Sequence, residues 1–224
     1  MTYLYLDIET IPAQSEEAKA LIAAGVKPPA QMKKAETIAA WEAEQKAAAI
    51  EEAIAKTSFD AAFGEICCIG WACDDVDPLS VYRDGKNTEA SILLQFFQRL
   101  EEGFIYGGPT IVGHYVAGFD IRFITRRAII LGIRLPFWWP LDPKPWDAKV
   151  FDTMTAWSGT RDIISMDNLC QALGIPGKGD IDGSMVGKLF AEGKYDVIAG
   201  YCRCDIHRTR QIHKKMLFAF GEAA

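Results

Sequence analysis

The chain has 224 residues, half of them hydrophobic, and carries 24 Lys and Arg against 30 Asp and Glu for a formal charge of −6. That length suits one α/β domain with an insertion and a sizeable core, which excludes disorder as the dominant state. The acidic balance excludes a nonspecific polycation that coats nucleic acid, so any nucleic-acid role must come from a local site.

Six cysteines, at Cys67, Cys68, Cys73, Cys170, Cys202 and Cys204, include no C-x-x-C pair. They make a poor disulfide framework and a poor zinc knuckle. The opening MTYLYLDIET has no basic n-region, and no apolar run approaches the roughly 18 residues of a membrane span. A reducing cytoplasm with free thiols, and no membrane segment, is the expectation.

In chain order, Tyr3 to Thr10 alternates as a strand, with Leu4, Leu6 and Ile8 on one side and Tyr3, Tyr5, Asp7 and Glu9 on the other. Two carboxylates therefore emerge side by side, and Pro12 ends the ladder. From Gln14 to Lys56 the composition turns to Ala, Glu, Lys and Gln. Broken at Gly25 to Pro29, this stretch predicts one short and one long helix with a thin apolar stripe of Ile38, Trp41, Ile50 and Ile54. Glu65 to Cys73 (EICCIGWAC) reads as a buried strand and Leu79 to Tyr82 as its hairpin partner. Asn87 and Thr88 precede an amphipathic helix with Ile92, Leu93, Phe96, Phe97 and Leu100 on one face, ending at Gly103. A strand near Thr110 to Val112 leads through GHYVAGFD into a helix that Asp120 opens. The Pro- and Trp-rich stretch Leu135 to Trp146 predicts a packed loop before a strand at Val150 to Thr153. Ser165 to Leu173 is a short helix, and Tyr195 to Phe218 one or two closing helices.

Asp7, Glu9, Asp120 and Asp205 fall at strand ends or on helices that such a topology can bring together. Converging carboxylates repel unless a hard cation neutralises them, and Mg²⁺ or Mn²⁺ prefers oxygen ligands. Two such ions suit in-line displacement at phosphorus. Tyr201 stands four residues before Asp205, on the same helical face, and is read as orienting the attacking water. An apparent zinc set of Cys202, Cys204, His207 and His213 fails on geometry, because Cys202 and Cys204 stand about 200° apart on one helix. Asp152 in FDT reads as a helix N-cap.

D-I-E-T at Asp7 to Thr10, G-H-x-x-x-G-F-D at Gly113 to Asp120 and Y-x-x-x-D at Tyr201 to Asp205 resemble, in order and separation, the three motifs of the DEDD 3′→5′ exonucleases in their tyrosine-bearing branch. The layout from Phe63 onward, including SMDNLCQALGIPGKG, is similar to the exonuclease domain related to that of family-B DNA polymerases, as in stand-alone phage and prophage enzymes. The resemblance implies a single domain over 1–224 with an α/β, RNase H-like fold, a mixed five-stranded sheet and a helical insertion over 14–57. It implies two divalent ions, Mg²⁺ or Mn²⁺, on Asp7, Glu9, Asp120 and Asp205, and release of nucleoside 5′-monophosphates from the 3′ end of single-stranded DNA. Thr10 and Ile11 would border the terminal nucleotide. From the residues themselves, His114 reads either as a substrate contact or as bonding backbone near the strand end, and Phe119 either as a base-stacking surface or as a core aromatic. One departure is Tyr115, where the second motif usually has asparagine after Gly-His.

Arg122, Arg126 and Arg127, and Arg203, His207, Arg208, Arg210, Lys214 and Lys215, flank these motifs as candidate phosphate contacts. Trp71 and the pair Trp138 and Trp139 suit base stacking less well than a place in the core. Three alternatives remain open from residues alone: a 3′→5′ exoribonuclease on short RNA, a noncatalytic nucleic-acid-binding module, and an accessory that recruits a replication or recombination partner through its inserted helices.

Overall fold

The computed structural model describes residues 2–104, 107–144, 147–177, 179 and 181–221. Its strands are β1 (Tyr3–Ile11), β2 (Glu65–Cys73), β3 (Leu79–Tyr82), β4 (Thr110–Gly113) and β5 (Val150–Asp152). They form one mixed sheet in the order β3-β2-β1-β4-β5. β1 and β4 run parallel with Leu4 opposite Ile111, β4 and β5 run parallel with Val112 opposite Phe151, and β2 and β3 are antiparallel. The alternation in β1 is overridden: Tyr5 on the polar side is as buried as Leu4 and Leu6. Both faces of the centre are covered, as parallel strands require.

Nine α-helices are described: α1 (Glu16–Gly25), α2 (Ala35–Glu44), α3 (Lys46–Lys56), α4 (Glu89–Gly103), α5 (Asp120–Ile130), α6 (Thr153–Ser158), α7 (Met166–Ala172), α8 (Val186–Ala191) and α9 (Tyr195–Phe220). Thr88 caps α4, its hydroxyl accepting from Ser91 N, and the expected apolar face is buried. Ser165 caps α7 in the same way. The strand expected to reach Thr153 stops at Asp152, because that carboxylate caps α6 and turns the chain into a helix. The closing segment is one unbroken 26-residue helix. Its residue Ile206 packs with Tyr5, Ala72 and Val112, and its Ile212 and Met216 pack with Met166, Leu169, Cys170 and Ile175. Trp71, Trp138 and Trp139 are core residues. No helix among the described residues is long and apolar enough to cross a membrane.

The chain divides into two compact units, Met1–Glu9 with Ile66–Ala224, and Thr10–Glu65. In the smaller unit three helices replace the expected two, since the backbone bends at Gln45 between α2 and α3. Of the thin stripe only Trp41 is buried. Glu42 with Lys46 and Glu52 with Lys56 are exposed pairs that contribute little to stability. Thr57 is a tie within this unit: its hydroxyl donates to Ile54 O at 2.6 Å and accepts from Ala13 N at 2.8 Å.

Candidate active site

β1 presents Asp7 and Glu9 from one face, and α9 presents Tyr201 and Asp205 one turn apart. The thiol of Cys202 lies between these elements, its Sγ 3.5 Å from the Asp7 carbonyl. One ligand atom each from Asp7, Glu9 and Cys202 falls within 4.8 Å of the others. Gly70 on β2 permits this approach, since a Cβ there would stand 2.6 Å from the Cys202 sulfur. The Tyr201 hydroxyl is pushed far above its usual range, first by burial and then by the charges of Asp205, Glu9 and Asp7. The charges of three carboxylates thus act on one phenol, which stays protonated.

Asp120 reaches the same strand through the strand's backbone. It is the first residue of α5, with Phe119 at the N-cap position. Its Oδ1 accepts the Ile8 N–H at 3.0 Å, between Asp7 and Glu9 in sequence. Burial raises the Asp120 carboxyl above the ordinary range, backbone N–H groups including that of Ile8 pull it down, and the charge of Asp152 raises it further. On α9, Arg208 donates to Asp205 Oδ1 at 2.6 Å, and its guanidinium also meets the carbonyls of Pro176 and Gly177.

Asp152, expected only as a cap, does more than cap α6. Oδ1 accepts from Tyr115, Met154 and Thr155, and Oδ2 accepts from Ala117, all at 3.0 to 3.3 Å. One carboxylate therefore ties the end of β5 to the turn that delivers Asp120. Only a long-range contact across the sheet reveals it. Cys202 was likewise invisible as a neighbour of Asp7 and Glu9, because nothing local tells which face of α9 meets β1.

His114, expected at the substrate, has both ring nitrogens engaged within the protein: Nδ1 with Thr153 Oγ1 at 3.0 Å and Nε2 with the Ile164 carbonyl at 2.9 Å. It braces the turn. Phe119 is half-buried, its ring centroid 5.3 Å from that of Phe123. Thr10 and Ile11 belong to the smaller unit, where the Thr10 hydroxyl donates to Ser58 O at 2.7 Å and Ile11 is buried. Several expected phosphate contacts are spent on structure. Arg127 is buried in a two-bond pair with Glu89, Arg203 donates to Ser80, Arg210 is buried and donates to Val76 O, and Lys214 pairs with Asp75. Cys204 is exposed while Cys202 and His213 are buried at separate points along α9, so the zinc set does not assemble.

Residues 61–222 match a family of predicted 3′-5′ exonucleases related to the exonuclease domain of PolB. The chain belongs to this family. It is thereby a 3′-5′ exonuclease, a hydrolase, with nucleic acid as the implied substrate. Asp120, Tyr201 and Asp205 lie inside the matched span, and Asp7 and Glu9 precede it. Among solved structures, the family B DNA polymerase of the hyperthermophilic archaeon Pyrobaculum calidifontis matches 98% of this exonuclease at 15% identity and a TM-score of 0.59. The exonuclease spans 25% of that polymerase. The likeness shows an RNase H-like α/β fold. No curated protein matches the chain.

Donor chemistry tests whether divalent cations suit this exonuclease. Hard carboxylate oxygens supply most of the donors, and the Cys202 thiol is held protonated by burial and by hydrogen bonding with Cys68. A raised, buried Asp120 beside β1 gains its charge most readily when a cation is near. The residues fit a hard divalent cation.

Proposed function

We propose that the exonuclease uses two divalent metal ions, Mg²⁺ or Mn²⁺, to remove nucleoside 5′-monophosphates from the 3′ end of single-stranded DNA. The observation that carries this reading is the gathering of Asp7, Glu9 and Asp205 around the Tyr201 hydroxyl, with Asp120 anchored on the backbone between the two β1 acids. Asp7, Glu9, Asp120 and Asp205 would hold the ions. Bound cations supply charge for the attacking and leaving oxygens of an in-line displacement. The protein's own part is positional. β1 and α9 fix the carboxylates on rigid elements, and the Tyr201 phenol, kept protonated, orients the attacking water by hydrogen bonding rather than by removing its proton. Phe119 would border the terminal nucleotide. The whole of 1–224 acts as one exonuclease domain with a helical insertion over 14–57. Six cysteines outside any disulfide among the described residues suit a reducing cytoplasm.

The test is digestion of 3′- and 5′-labelled oligonucleotides, DNA and RNA, with Mg²⁺, Mn²⁺ or EDTA. Stepwise shortening of the 5′-labelled DNA, arrested by EDTA and by Asp7→Ala or Asp205→Ala, is expected. Undiminished cleavage in either variant would overturn the site assignment, and faster cleavage of RNA would replace DNA as the substrate.

A further inference from the structure

A cavity of about 240 Å³ opens beside the turn from β4 to α5, lined by Tyr115, Gly118, Arg122, Thr160, Arg161 and Asp162 among others. None of Asp7, Glu9, Asp120, Tyr201 and Asp205 lines it, although two of its lining residues, Gly118 and Arg122, stand two positions either side of Asp120. Arg122 follows Asp120 by two residues, about 200° round the helix, so the two side chains leave α5 in nearly opposite directions. Asp152 lines the cavity too, but its oxygens are filled by four backbone N–H groups.

Tyr115 is unusual in three ways. Its φ is +64°, a left-handed conformation that bulky residues rarely adopt. The residue is 47% exposed, so no core packing explains the strain. The ring also lies against Gly118, where a Cβ would stand only 2.2 Å from it. The backbone is pinned through Tyr115 N and Ala117 N to Asp152, and Gly118 leaves room for the ring alone. An aromatic surface is thereby fixed in place and left half open to solvent.

Around it stand two guanidiniums. Arg161 is exposed and makes no ion pair among the described residues. Arg122 spends one terminal nitrogen on Asp142 at 3.0 Å, and its Nε is buried with no hydrogen-bond partner among the described residues. A rigid aromatic beside forked cationic donors matches a base and its phosphate.

We infer that this cavity is an accessory subsite for one nucleotide unit of the substrate strand, with a base stacked on Tyr115 and a backbone phosphate held by Arg122 and Arg161. The inference rests on the exonuclease reading for its substrate. Tyr115, the departure from the usual asparagine, then extends the strand-binding surface while keeping the left-handed turn that asparagine adopts easily.

Binding of fluorescein-labelled single-stranded DNA by the full chain in EDTA, followed by anisotropy over a salt series, tests the subsite apart from cleavage. Tyr115→Asn suits the left-handed backbone, so it removes the ring without threatening the fold, and about a tenfold loss of affinity is expected. Tyr115→Phe should bind like the unaltered chain. Arg161→Ala should lower the slope of log affinity against log salt by about 0.7, the signature of one lost single-strand phosphate contact. Metal-dependent hydrolysis of the 4-nitrophenyl ester of thymidine 5′-monophosphate, too short to bridge site and cavity, should be spared by Tyr115→Asn. Affinity within about twofold of the unaltered chain for Tyr115→Asn, with an unchanged salt slope for Arg161→Ala, would overturn the subsite while leaving the exonuclease intact. Failure of the unaltered chain to shorten any 3′ end would sink the exonuclease reading, and the anisotropy series would still judge the cavity.

Discussion

Replacing Asp152 with Ala should loosen the Asp120 turn and destabilise the fold together. Its carboxylate receives four backbone N–H groups, two at the start of α6 and two in the turn before α5. Loss of an N-cap costs about 1 kcal/mol. Hydrogen bonds to a charged acceptor are worth about 1.5–3 kcal/mol each, but four that share one carboxylate do not add. Relief of the repulsion with Asp120 offsets part of the loss, leaving about 3 kcal/mol for Asp152→Ala. Asp152→Asn keeps Oδ1 for Tyr115, Met154 and Thr155 and turns an amide toward Ala117 N, so about 1–2 kcal/mol is expected. Urea unfolding at pH 7 measures both, with an unchanged slope marking a change in stability alone. A second readout is the pH dependence of Mn²⁺ uptake. Without the Asp152 charge the Asp120 carboxyl ionises at lower pH, so the uptake curve of Asp152→Asn should move to lower pH. A loss below about 1 kcal/mol for Asp152→Ala, or equal losses for both variants, would refute the role given to this carboxylate.

Three further outcomes are expected. Arg127→Met leaves Glu89 buried with its Ile66 N–H bond but without its cation, which should cost about 3–5 kcal/mol, and adding Glu89→Gln should recover part of that; urea melts of both variants decide it. Tyr201→Phe should lower kcat by about 10- to 100-fold with little change in Mn²⁺ affinity measured by calorimetry, whereas equal loss of both would make the tyrosine a structural support of the carboxylates. His213 is fully buried, bonded through Nδ1 to the Tyr5 hydroxyl at 3.0 Å, and burial lowers its pKa from 6.5 to about 4. Between those values the unfolded chain takes a proton that the folded chain refuses. Its contribution is therefore full above about pH 6.5 and lost as pH falls to about 4, by at most about 3 kcal/mol at about 1.4 kcal/mol per unit. A His213→Gln variant should show a flatter stability profile over that window, and a parallel profile would exclude His213 as the cause.

Short-range patterns made most elements legible. The alternation around Asp7 and Glu9, the apolar run of β2, the Thr88 and Ser165 caps and the periodic face of α4 are all written within a few residues of where they act. The spacing of Tyr201 and Asp205 likewise placed both on one face of a helix before the helix was seen. Local signals failed where neighbours distant in sequence decide. Gln45 breaks a helix that composition alone would continue, and Asp152 ends β5 one residue early because its carboxylate serves the next helix.

Basic residues mark the limit most clearly. Charge and position along the chain suggested phosphate contacts for Arg127 and Arg210, yet both are buried and paired, because long side chains are claimed by whichever acceptors the packing brings near. By itself the sequence determined the acidic motifs, their order and the α/β scaffold, since these follow from residue type and period. Tertiary structure alone decided that Ile8 N–H anchors Asp120, that Cys202 faces Asp7 and Glu9, and that Asp152 ties the turn. Each joins elements between 35 and 195 residues apart, a separation at which sequence pattern holds no information about contact.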